Sequence, residues 1–271
     1  MSELLSYTFM QNALLAGVLV SLACGFIGTL VVLKRMVFIS GGVAHAAYGG
    51  VGLAFFLGVN PVLGAVAFSL TASFLMGYIQ RKTRQRQDTL IGVMWAMGMA
   101  IGIIFADMTP GYKADLMSYL FGSILAVTET DLILMLGVDI FVIVVVALFY
   151  KELQAAAFDE TFARVRNLPV DLLYMLLVAM IGFSVVILMR VVGLIMIIAL
   201  LTVPAAIGTL FLKDMKHILG LATILSLVFT TGGLLLSYFF NLTSGATIIL
   251  VAGIAYLIAI IISRYCRRCR P

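Results

Sequence analysis

The chain has 271 residues, 63% hydrophobic and 11% charged, with mean hydropathy +1.20 and formal net charge +5. Ordinary soluble domains are about 45–50% apolar and about 25% charged, so this composition excludes a soluble globular domain and describes a polytopic membrane protein. The positive balance is read as a topology signal, and it gives no support for nucleic-acid binding.

Apolar runs fall at 9–33, 38–58, 61–80, 90–106, 132–150, 170–189, 191–212, 217–237 and 247–263. Each is close to the roughly 20 residues that cross a bilayer core about 30 Å thick. They predict an all-α bundle of about nine transmembrane helices forming one domain over 1–271. The count falls to eight if one pair is merged, because the polar break at Met189 and Arg190 is short. The opening MSELLSYTFMQ has no basic start and no small-residue cleavage site, so the first helix is expected to stay in place. If the Arg81 to Arg86 cluster is placed inside and the spans alternate, all 17 cations except Lys113 and Arg190 lie inside. This predicts an outside N-terminus and a cytoplasmic C-terminus.

The first span carries Cys24, a soft ligand at middle depth or a small buried hydrophobe. The second holds SGGVAHAAYGGVGLAFFLG, in which His45 shares a helical face with Gly41, Tyr48, Gly49 and Gly52. Glycines let another backbone come close. An ionisable residue inside a membrane is expensive, so His45 is a functional candidate, with a packing histidine bonded to a neighbouring carbonyl as the alternative.

The segment 115–131, DLMSYLFGSILAVTETD, has an apolar core too short to cross, and both of its flanks must lie outside. It predicts a short or re-entrant outer helix covered by protein. The outer loops, with Asp115, Glu129 and Asp131, read as acidic. Asp139 lies inside a span as either a station on a path or a structural hydrogen-bonding group. His45 and Asp139 are each roughly 10 Å from opposite membrane edges, so they are not expected to ligate one ion together.

The loop AFDETFARVRNLP, 157–169, predicts a cytoplasmic helix. Asp159 would cap it, Glu160 would sit in its first turn, Arg164 and Arg166 near its end, and Asn167 and Pro169 would stop it. Phe158, Phe162 and Val165 form one apolar stripe, suited to docking a protein or to lying on the membrane surface. Pro204 removes a backbone donor and predicts a kink in its helix. His217 reads as a surface residue. The CRRC tail, with Cys266 and Cys269, has no second pair to complete a zinc site.

VFISGGVAHAAYGGVGLAFFLG, DLMSYLFGSILAVTETDL, AFDETFARVRNLPVDLL and VVGLIMIIALLTVPAAIGTL, taken together and in this order, resemble the membrane permease of the ABC importers for zinc, manganese and iron(II). The resemblance runs nearly end to end. It implies a homodimeric path of the vitamin B12 importer architecture in a prokaryotic plasma membrane. It also implies cytoplasmic ABC ATPase subunits below and an extracytoplasmic metal-binding protein above. By the same resemblance, 158–168 is the coupling helix, with Phe158, Asp159, Glu160, Phe162, Ala163 and Arg164 as its ATPase-coupling residues. Asp115, Glu129 and Asp131 belong to the outer entrance, and Gly41, Tyr48, Gly49, Gly52, Thr202 and Pro204 line the path. A bulky residue at Glu160 or Ala163 is expected to uncouple the ATPase with the fold intact.

The chain departs from the family pattern at one place. An aspartate commonly stands four residues before the histidine and a serine just before it, where this chain has Gly41 and Ala44. His45, Asp139 and Cys24 are the remaining metal candidates, with Cys24 able to pair with His45. Zinc is the first expectation, then manganese or iron. The metal is cargo, and the chain is expected to hold no cofactor. No GxxxxGK[ST] loop occurs, so this subunit is not expected to be an enzyme. Three other functions stay open: a stand-alone cation-coupled transporter or channel, a permease for a metal chelate, and an assembly subunit without a path.

Overall fold

A computed structural model describes residues 7–82, 87–109, 122 and 124–268. The helices in chain order are α1 (Thr8–Leu33), α2 (Val37–Leu57), α3 (Pro61–Lys82), α4 (Gln87–Met108), α5 (Glu129–Leu148), α6 (Tyr150–Phe158), α7 (Glu160–Val165), α8 (Val170–Val192), α9 (Leu194–Phe211), α10 (Met215–Phe240) and α11 (Ser244–Arg268). Among the described residues, nine of them are long and apolar enough to cross a membrane: all except α6 and α7. The all-α membrane bundle is therefore as expected. Lys113, Asp115 and the Cys269 end of the tail lie outside the described residues.

Lipid tails are as apolar as leucine, so helices in a bilayer associate through close packing and hydrogen bonds rather than through hydrophobic burial. The sequence supplies both. On α1, a Cβ at Gly25 would lie 2.8 Å from the Thr223 Cα, and Gly28 backs onto the Leu201 carbonyl. Ser21 is 3.1 Å from Thr230 across the same contact. Two sub-bundles result. In one, α2 packs on α3 and α4; in the other, α1 packs on α9, α10 and α5, with α11 outside α9 and α10. α8 joins them by packing on α3, α2, α5 and α9. Ser69 helps, donating to the Gly182 carbonyl at 3.0 Å.

The break after α8 is three residues later than the sequence suggests. Arg190 stays helical, and the chain turns at Gly193, whose φ of 82° and ψ of 158° suit only glycine. Arg190 looked like a break because it is charged. Its guanidinium instead meets Asp131 at 3.1 Å. α9 then runs through Pro204 as one helix.

Candidate functional site

α2 is apolar on every side because it is enclosed on nearly every side. Its glycine strip is occupied. A Cβ at Gly49 would lie 2.7 Å from the Gly98 carbonyl oxygen, and one at Gly52 would lie 2.7 Å from the Gly102 Cα. From the other helix, a Cβ at Gly98 would come within 2.6 Å of the Ala46 Cα, and one at Gly102 within 2.6 Å of the Tyr48 carbonyl. Gly49 and Gly52 were expected to line a path. Within the chain they instead let α4 lie directly on α2, with backbone against backbone. Tyr48 is buried in the same contact.

His45 is half-buried beside this seam. Its ring stacks on the indole of Trp95 from α4, with centroids 3.8 Å apart and planes 18° from parallel. Its Nδ1 is buried and has no hydrogen-bond partner among the described residues. One turn away, Gly41 faces α9, where a Cβ would make ordinary contact with Ile198 at 3.8 Å. Thr202 lies one turn from Ile198 on α9, and its hydroxyl donates to the Ile198 carbonyl at 2.7 Å. Pro204 is buried in the same helix.

Asp139 and Cys24 form a separate feature. Asp139 is 2% and Cys24 1% exposed. The Cys24 thiol and the Ala23 backbone face the carboxylate, and neither of its oxygens meets hydrogen-bond geometry among the described residues. This is the α1–α5 contact, whereas His45 stands at the contact of α2 with α4. Cys24 thus sides with Asp139, and the expected pairing of Cys24 with His45 is not formed. Among the described residues, no group of three or more His, Cys, Asp or Glu side chains could hold a metal ion.

At the basic end of the bundle, the predicted capped helix is present but shorter than 158–168. Asp159 Oδ1 accepts from the Phe162 N–H at 2.9 Å, and Asn167, with a φ of 56°, ends the turn that follows α7. Glu160 ties this helix to its surroundings. It meets Lys34 Nζ at 3.2 Å, Arg164 at 3.3 Å, and Arg81 through a short hydrogen bond. Asp171, in the first turn of α8, meets Arg81 at 3.1 Å and Arg164 at 3.0 Å. Lys34 also donates to the Ala156 carbonyl at 2.8 Å. The ends of α1 and α3 and the start of α8 are thus bound to one six-residue helix.

Burial alone would raise the Glu160 carboxyl. The Arg81 hydrogen bond and the Lys34 charge outweigh burial and push it down to about 2, from an ordinary 4.5. A depressed carboxyl gives stability that is complete above its unfolded value and is lost as pH falls through the folded value. Amide exchange over 158–168 should therefore stay constant from neutral pH to about pH 5 once intrinsic exchange rates are corrected, and rise only in stronger acid.

The helix has two faces. Phe158, Phe162 and Val165 are 52%, 51% and 78% exposed, and Ala163 is 0% exposed. Ala163 and Glu160 thus face the chain's own body. A bulky residue at either would disturb the bundle itself, which corrects the expectation that such changes leave the fold intact.

At the opposite end, Glu129 is exposed in the first turn of α5. Asp131 is engaged rather than free. Thr128 and Asp131 form a capping box, in which the Thr128 N–H donates to Asp131 Oδ2 at 3.2 Å, and Arg190 holds the other oxygen. Of the outer segment 115–131, residues 122 and 124–131 are described: Gly122, a 3₁₀ turn at Ile124–Ala126, and the start of α5, which begins three residues earlier than expected.

A family model described as the ABC 3 transport family matches residues 6–263. This chain belongs to the ABC 3 transport family. An uncharacterized membrane protein of Synechocystis sp. is 57% identical over 264 residues, covering 97% of this chain and 94% of that protein. The manganese import system permease protein ScaB of Streptococcus gordonii is 33% identical, covering 97% and 95%. The structure of PsaBC from Streptococcus pneumoniae in complex with Fab matches with a TM-score of 0.85 and 32% identity, covering 95% of this chain and 93% of that one. An inward-facing putative metal-chelate type ABC transporter shares the fold at a TM-score of 0.75 and 14% identity. The resemblance read from four segments is thus confirmed as membership: a multi-pass membrane permease of this family.

Within an ABC 3 permease frame, sequence reasoning missed three things. Trp95 was not singled out, although it is the only tryptophan in the chain. Lys34 and Arg81 carry a topology signal in the sequence, but nothing there pairs them with Glu160 or Asp171. Gly98 and Gly102, four residues apart on α4, were the available signal that the glycines of α2 have a partner.

Proposed function

We propose that this chain is the membrane permease of an ATP-driven importer of a divalent first-row metal ion, with Mn²⁺ ahead of Zn²⁺. The observation that carries it is α7: a short helix pinned to α1, α3 and α8 by charges, with Phe158, Phe162 and Val165 left outside. A separate cytoplasmic ATPase docks on that apolar face, and the pins carry its motion into the spans. With the ATPase on that side, the N-terminus lies outside and an extracytoplasmic binding protein meets the end with Glu129. Two copies surround the path, each giving one His45, since one chain offers a single ligand there. The preference for zinc leaned on Cys24, which faces Asp139 instead. The relatives named for a metal include manganese systems, and a weak single station suits a path that must release its ion.

Phe162→Glu should abolish recovery of the ATPase with the purified permease, while the melting temperature of the permease alone stays within a few degrees. Wild-type recovery would remove α7 as the docking element. Metal flux in liposomes holding this chain alone would favour the stand-alone transporter.

A further inference from the structure

A histidine that ligates a metal almost always donates its other ring N–H to a carboxylate, a carbonyl or a water, and that bond fixes the ring plane. No described protein group makes such a bond to His45, whose Nδ1 is buried and unpartnered among the described residues. Gly41, one turn before it, carries no side chain that could share or steer an ion. What fixes the ring is a face contact. Trp95 lies 3.8 Å away and 18° from parallel. The indole N–H points elsewhere, towards Met99 Sδ at 3.2 Å.

We propose that Trp95 is the positioning residue for His45, its indole holding the imidazole plane at which the ring meets a passing divalent metal. This rests on the reading of His45 as a station on the metal path. The geometry permits it, because a metal binds a ring nitrogen in the plane of the ring, whereas Trp95 covers a face. The stack therefore restricts ring rotation without blocking a lone pair. It is also compatible with weak binding: it orders the ligand while adding no second ligand atom, so an ion arriving at His45 keeps most of its water. The backbone seam supports the stack. Gly98 lies one helical turn from Trp95 and brings α4 onto Ala46, the residue after His45, so the two rings are held beside a backbone-to-backbone helix contact.

The test uses the full permease with its ATPase in liposomes and Mn²⁺ as the probe. Because Trp95 is the only tryptophan of this chain, its emission, read on the purified permease without its ATPase, reports on this contact directly. Mn²⁺ should quench it saturably in the wild type and not in His45→Ala. In transport, Trp95→Leu should raise KM for Mn²⁺ by roughly tenfold, the low end for loss of a ligand's supporting group, with kcat held. Trp95→Phe, which can still stack, should restore KM. A wild-type KM in Trp95→Leu, or failure of Trp95→Phe to restore it, overturns the proposal. If Trp95→Leu does not assemble, Trp95→Met, which keeps bulk without a ring face, takes its place, and a wild-type KM in that variant overturns the proposal. Failure of the parent reading is separate. In that case His45→Ala itself transports with wild-type KM, whatever the emission shows.

Discussion

Gly52→Leu is expected to prevent the permease from folding as a stable bundle. A Cβ at this position would reach the Gly102 carbonyl oxygen and lie 2.7 Å from the Gly102 Cα, inside the 3.0 Å limit that real Cβ atoms respect. The obstacle is backbone, so no rotamer change removes it, and α2 and α4 must separate. Overpacking in a well-filled interior costs about 1–3 kcal/mol, and a backbone obstacle at a glycine-to-glycine helix contact belongs at the top of that range or above. Parting the helices would also separate His45 from Trp95. Gly52→Ala should act in the same direction with a smaller effect. Gly137→Ala on α5 is the control, because nothing lies within 4 Å of its added Cβ. Size-exclusion profiles and melting temperatures in detergent read the outcome. A monodisperse Gly52→Leu protein melting with the wild type would show that the α2–α4 seam is not as close as described.

Glu160→Ala is the second large effect. It removes the carboxylate that Lys34, Arg81 and Arg164 share and leaves Asp171 alone against two of those three cations. Breaking a fully buried pair costs about 3–5 kcal/mol. Glu160 keeps 37% of its side chain exposed, so solvent screening lowers the expectation to about 2 kcal/mol. The local consequence is larger than that figure suggests, because a six-residue helix has almost no stability of its own. Amide exchange over 158–168 should accelerate, and hydrolysis by the docked ATPase should continue while transport falls. Arg81→Ala combined with Glu160→Ala should cost less than the sum of the single changes, since each alone strands the other's charge. Unchanged exchange in Glu160→Ala would mean that the helix is held by Ala163 and its neighbours rather than by charge.

The spans were legible because apolar length is a strong signal, and the α7 cap was legible because Asp159 stands at a fixed offset from the N–H it accepts. The end of α8 was not legible. A charged residue such as Arg190 reads as a boundary until its partner is known, and Asp131 lies 59 positions away in the chain. His45 could be singled out by residue type alone, but its surroundings could not. Nothing in the period of α2 distinguishes glycines that open a path from glycines that admit α4; only the second glycine pair, on another helix, does that. The same holds for Glu160 and Ala163. Their place on a short helix suggested a partner surface, and the cations on α1 and α3 turn that face inward.

The proposed activity is ATP-driven import of a divalent metal past His45. Uptake of radiolabelled Mn²⁺ into liposomes carrying this permease with its ATPase and binding protein tests it most directly. Wild-type chains should accumulate Mn²⁺ only with ATP. His45→Ala should assemble and dock normally, yet accumulate far less. Uptake by His45→Ala at the wild-type rate, or ATP-independent uptake by the chain alone, would contradict the account.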